Sequence, residues 1–174
     1  MTRRARMPTA TTVRMPSWLY GIDPGLNGTG WAEFHDGALT AAGVLNVPHR
    51  LKTLPFELRG LELARQLQTV MCDAPFHTKV VCEMPHHFGN VGSDMGWKKG
   101  DLQKLTYLVG LFHGVLAPVD FQPVLVRDWK GQLPKAVVTE RIKRILGDYA
   151  CQQVGIVSHA WDAVGIGLWA LGRF

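Results

Sequence analysis

The stretch YGIDPGLNGTGWAEF, Tyr20 to Phe34, sets a carboxylate at the end of an apolar run and surrounds it with four glycines, Gly21, Gly25, Gly28 and Gly30. An Asp before Pro24-Gly25 is ordinary turn chemistry, and a loose surface hairpin would account for the rest. Two more specific readings compete with these, a phosphate-cradling loop and a metal ligand. A P-loop or dinucleotide fingerprint needs a helix straight after its glycines. Here Gly30 to His35 alternates apolar and polar residues as a strand does. The glycines therefore make a tight hairpin, with small residues that leave room for a metal and a phosphate beside Asp23.

Outward from this hairpin, Trp18 to Ile22 reads as a first strand, and Asp36-Gly37 is a tight-turn pair before a third, Ala38 to Val47. The three form an antiparallel meander. Leu54, Leu58, Leu61, Ala64, Leu67 and Met71 recur at helical spacing, which predicts a helix over 54–71 with Pro55 in its first turn. Lys79 to Cys82 is a β-branched-rich strand that ends in Glu83, and Pro85 stops it. His86 to Gly100 is too rich in glycine and polar residues for the core and reads as a long mobile loop. Asp101 is placed to cap a helix running to about Ala117. Phe121 to Val126 is a further strand, followed by a loop with Trp129, Lys130 and Pro134, and then by a basic helix, Lys135 to Leu146, that ends at Gly147. The last element, SHAWDAVGIGLWAL, has Ser158 as N-cap and apolar residues on most sides. Gly165 and Gly167 would each weaken an isolated helix by about 1 kcal/mol, so they imply close packing against the sheet. The order β-β-β-α-β-α-β-α-α is an α/β pattern: a mixed sheet of about five strands, the first three antiparallel, flanked by helices.

At 174 residues, 47% hydrophobic and 19% charged, the chain is expected to hold one core. We assign one domain, 17–174, preceded by a flexible basic arm, 1–16, that carries Arg3, Arg4, Arg6 and Arg14. The longest apolar window, Leu105 to Pro118, is shorter than the roughly 20 residues of a membrane span. The N-terminus has no apolar secretory core, and a cytoplasmic protein is expected. Cys72, Cys82 and Cys151 form no CxxC pair and read as buried thiols. The net charge of +5 points to an anionic partner, nucleic acid first.

Three positions stand out: Asp23 ending the first strand, Glu83 ending the fourth, and His159 with Asp162 on the final helix. Strand ends of open α/β sheets are where sites collect. The i, i+3 spacing puts His159 and Asp162 on one helix face. Taken singly, Asp23 is as well explained as a turn residue, His159 as a surface residue and Asp162 as a normal first-turn acid; His86 and His87 fit a solvated loop. Taken together, converging carboxylates repel unless cations neutralise them. Oxygen ligands with at most one imidazole favour Mg²⁺ or Mn²⁺ over structural zinc. Two basic segments flank this set, Lys98, Lys99 and Lys104 in one and Arg127, Lys130 and Lys135 in the other, as phosphate positioning requires.

The ordered set resembles the RuvC family of Holliday-junction resolvases, which have a ribonuclease H-like fold. GIDPGLNGTGWAEF is similar to the family's first strand and hairpin, VVCEMP to its Glu-bearing strand, VRDWKGQLPKAVVTERIKRIL to its basic loop and helix, and SHAWDAVGIGLWAL to its closing helix. A strand-ending Asp-Xaa-Gly also occurs in sugar-kinase and actin-type ATPases, but those use two large lobes, which 174 residues do not supply. The resemblance implies two Mg²⁺ or Mn²⁺ ions per site, with Asp23 shared between them and Glu83, His159 and Asp162 completing the ligands. It implies a homodimer that hydrolyses phosphodiesters symmetrically in two strands of a four-way DNA junction. The family places an aromatic wedge a few residues after its Glu; Phe88 is the residue in that role, two residues further from Glu83 than the pattern asks. With this departure and the basic arm, the chain looks like a divergent member of the kind a phage encodes. Two other functions fit the same residues, a ribonuclease H-like nuclease acting on RNA–DNA hybrids or general branched DNA, and a non-catalytic junction-binding module.

Overall fold

A computed structural model describes residues 16–86, 100–157 and 159–174. Strands β1 (Trp18–Asp23), β2 (Gly28–His35) and β3 (Ala38–Asn46) form the expected antiparallel meander. Its second turn has positive φ at both central residues, 48° at Asp36 and 78° at Gly37, the type I′ geometry that matches strand twist. Helix α1 (Phe56–Val70) carries the chain across to β4 (Lys79–Met84), which lies parallel to β1. Helix α2 (Asp101–Leu116) precedes β5 (Asp120–Leu125), parallel to β4. The open sheet has the order β3-β2-β1-β4-β5. Among the described residues no helix is long and apolar enough to cross a membrane.

Strand parity divides the core in two. Tyr20 and Ile22 of β1, with Val80 and Cys82 of β4, face α1 and α2, where Leu63, Leu67, Leu108 and Phe112 meet them. Leu19, Ala32, Phe34 and Val81 face the other way, toward α6 (Ala160–Ala170) and α4 (Lys135–Leu146). By the same alternation Gly21, Asp23, Gly30 and Glu83 belong to the α6 face.

On that face the glycines are filled space rather than room. A Cβ on Gly21 would run into the Ala163 carbonyl, one on Gly30 into the His159 carbonyl, and one on Gly167 into the Phe34 ring. Helix α6 thus rests its backbone almost directly on β1 and β2. Gly165 turns the other way, against Trp129 and Ile142, so of the two helix glycines expected against the sheet only Gly167 packs on it.

Other local expectations need correction. Leu54, Leu58 and Leu61 are exposed, Leu58 and Leu61 by nearly half, and the buried face of α1 is Gly60, Leu63, Ala64 and Leu67. The reason is that α2 packs over Gly60, bringing Leu108 and Leu111 to its side and rotating the apolar stripe around it toward solvent. Pro55 occupies the N-cap position of α1. Gly100, at φ 72°, takes the N-cap place expected of Asp101, which instead sits in the first turn of α2. Strand β5 ends at Leu125, and the supposed loop begins with one helical turn, α3 (Val126–Trp129). A short helix, α5 (Asp148–Val154), follows Gly147 where none was expected. Ser158, Phe88, Lys98, Lys99 and nearly all of the basic arm lie outside the described residues, and His159 stands at the N-cap position of α6.

Candidate functional site

Asp23 and Glu83 each lie one residue beyond the Ile22–Cys82 pair of the parallel β1–β4 ladder. Neighbouring strand ends therefore present two carboxylates on the same face. Asp23 is also in register with Gly30, and it is at Gly30 that the start of α6 comes down on the sheet. This contact delivers Asp162, from the first turn of α6, to the two strand carboxylates.

Asp23 and Asp162 are largely buried, with side chains 14% and 11% exposed, and Glu83 is 16% exposed. Burial first, then the charges of Glu83 and Asp162, push Asp23 up to about 8, although Lys130 and Lys135 pull it down. Burial also raises Glu83, opposed by Lys130 and by a hydrogen bond from Trp129. The His159 ring lies at the rim, 55% exposed, with Nδ1 3.8 Å from Asp23 Oδ2. The structure thus brings together Asp23, Glu83 and Asp162, with His159 alongside.

Two of the basic residues do not stand beside this cluster but point into it. Lys130 Nζ lies 3.5 Å from Asp162 Oδ1 and 3.7 Å from Glu83 Oε2, and Lys135 Nζ lies 3.8 Å from Asp162 Oδ2. Lys104 is engaged by Asp101 at 3.2 Å, and the exposed Arg127 by its neighbour Asp128 at 3.5 Å. Sequence reasoning placed Trp129 only in a loop. It is buried, and its indole Nε1–H donates to Glu83 Oε2 at 2.9 Å. The one hint was a Trp in a polar loop, since a buried indole N–H needs an acceptor.

Among the described residues no three acidic, histidine or cysteine side chains are already drawn in around a single point. The donor chemistry nevertheless suits a hard divalent cation: three carboxylates, one imidazole and no thiolate on the site's surface. Burial, and after it repulsion from Glu83 and Asp162, disfavours the ionised form of Asp23 and is offset in part by two ammonium groups; a bound cation would complete that relief.

No family model matches the sequence, and no curated protein matches it. Solved structures do match the fold. The structure of Thermus thermophilus RuvC in complex with a Holliday junction substrate aligns at a TM-score of 0.62 and 17% identity, over 90% of this chain and 96% of that one. The fold is that of RuvC. A second Thermus thermophilus RuvC structure aligns at 0.53 and 20% identity, over 90% and 95% of the two chains. The mixed sheet flanked by helices is accordingly the RuvC, ribonuclease H-like architecture, and the carboxylates of β1, β4 and α6 lie at the strand ends of that RuvC-like sheet.

Proposed function

We propose that the chain is a structure-selective DNA endonuclease that resolves four-way junctions by hydrolysing phosphodiesters in two strands. The observation that carries this reading is the cluster of three largely buried carboxylates with two lysine ammonium groups against them, at the strand ends of a sheet folded like RuvC. One neighbour of that fold is a complex with a Holliday junction substrate.

Asp23, Glu83 and Asp162 would hold divalent cations, with His159 beside Asp23. Two Mg²⁺ or Mn²⁺ ions would supply an activated water and neutralise the leaving oxygen. The chain's own part is to fix the carboxylates on two strands and a helix, to keep water from their buried sides, and to present cationic groups to the strand being cut. Lys130, 20% exposed, and Lys135, about half exposed, reach the surface from the site and are placed to take phosphate oxygens. A homodimer fits a two-fold substrate, and the half-exposed leucines of α1, Leu58 and Leu61, offer apolar surface for it.

The test is cleavage of a synthetic mobile four-way junction in Mg²⁺ or Mn²⁺ with nicks mapped on all strands. Paired symmetric nicks support resolution. Scattered nicks, preferential cutting of an RNA–DNA hybrid, or binding without cutting would each replace it with one of the other functions.

A further inference from the structure

Of the three clustered carboxylates, Glu83 is on the longest side chain and has the most rotamer freedom to lose when held as a ligand. What holds it is not a strand neighbour. Oxygen Oε2 accepts the Trp129 indole N–H at 2.9 Å and lies 3.7 Å from Lys130 Nζ, while Oε1 takes no hydrogen bond from any described residue. The indole is itself fixed on several sides. It is 3% exposed, and its ring packs so close to Gly165 that a Cβ there would come within 2.7 Å of it. Ile142 shares that contact, and the Phe174 ring centroid lies 5.6 Å away. Backbone bonds from Lys130 and Gly131 to the Val126 carbonyl, 3.0 and 3.1 Å, close the turn that bears it. The ammonium of Lys130 stands 4.6 Å over the same ring.

Resting on the metal reading above, we infer that Trp129 is a positioning residue: its indole N–H holds Glu83 Oε2 and so aims the other oxygen, Oε1, at a divalent cation. The same ring seats Lys130, so one buried side chain orients both a ligand and the cation-bearing group beside it. Hydrogen-bond partners of metal-ligating carboxylates typically contribute about 10–100-fold in metal affinity.

The test uses the full-length protein and Mn²⁺ alone, its affinity measured by calorimetry and by the loss of the free-ion electron paramagnetic resonance signal. Trp129→Phe removes the donor and keeps an aromatic ring, and is expected to weaken Mn²⁺ about 10–100-fold. Ile142→Ala, which loosens the same packing without touching Glu83, is expected to lower thermal stability and leave Mn²⁺ affinity within about twofold. Should Trp129→Phe fail to fold, benzothienylalanine installed at position 129 retains the ring shape and lacks only the N–H, and the same loss is expected. Equal affinity in the wild type and in the folded donor-less protein overturns the inference and leaves the proposed function standing. An equal loss in Ile142→Ala also overturns it, because packing alone would then explain the effect. Absence of any Mn²⁺ binding by the wild type overturns the metal reading itself, and the inference with it.

Discussion

The two faces of the sheet are packed by opposite means. Under α1 and α2 the space is filled by large side chains, Tyr20, Ile22, Leu63, Leu67, Leu108 and Phe112. Under α6, glycines at 21, 30 and 167 remove side chains so that backbone meets backbone or ring. The first arrangement tolerates adjustment, since side chains can change rotamer and neighbouring volumes can trade. The second fixes a distance, because a carbonyl on a helix bound into its own hydrogen-bond ladder has nowhere to move. The site is built on the second face, where Asp162 must be carried to Asp23 and Glu83.

The contrast can be broken most severely at the site itself. Asp23→Asn is expected to reduce junction cleavage by roughly 10³-fold or more, the scale of removing one member of an interdependent set, while gel-shift binding of the junction persists. Gly30→Ala comes next. Its methyl would displace the His159 carbonyl, and a shift of about 1 Å at the site costs about 10²-fold in turnover, with a stability loss of about 1–3 kcal/mol. Leu63→Ala on the opposite face should invert that pattern, losing about 2–5 kcal/mol by denaturant titration and leaving turnover per folded molecule within about twofold. If Leu63→Ala impairs turnover as much as Gly30→Ala, the two faces are not independent.

A last effect, confined to one pH window, is on stability without divalent cations. Asp23 is raised from 3.8 to about 8 in the folded chain, so between those values the native state holds a proton that the unfolded state has released. Stability from this group is complete below the unfolded value and is lost as pH rises toward 8. The melting temperature of the wild type relative to Asp23→Asn should therefore fall as pH rises through that window. A constant difference would mean that Asp23 does not carry this shift.

Much of this was legible because it depends on neighbours in sequence. The Asp36-Gly37 turn, the meander and the strand-ending positions of Asp23 and Glu83 follow from local chemistry and a period of two. The α1 stripe predicted the helix but not its buried side, because Leu54, Leu58 and Leu61 satisfy helical spacing equally well on a face that α2 leaves open. The basic residues around the loop were legible as charge but not as direction, since nothing local says that Lys130 and Lys135 turn inward.

The sequence alone therefore determined the order of the five strands and the four longer helices, though not the short α3 and α5, and it singled out the acidic set, since alternation, spacing and turn chemistry are properties of short stretches. Only the tertiary structure decided what the glycines of YGIDPGLNGTGWAEF are for. Read locally they leave room beside Asp23; in the fold, Gly21 and Gly30 are occupied by the backbone of α6. The Trp129–Glu83 hydrogen bond was decided at the same level, because it joins residues 46 positions apart, and a contact of that span exists only once the sheet has brought β5 beside β4.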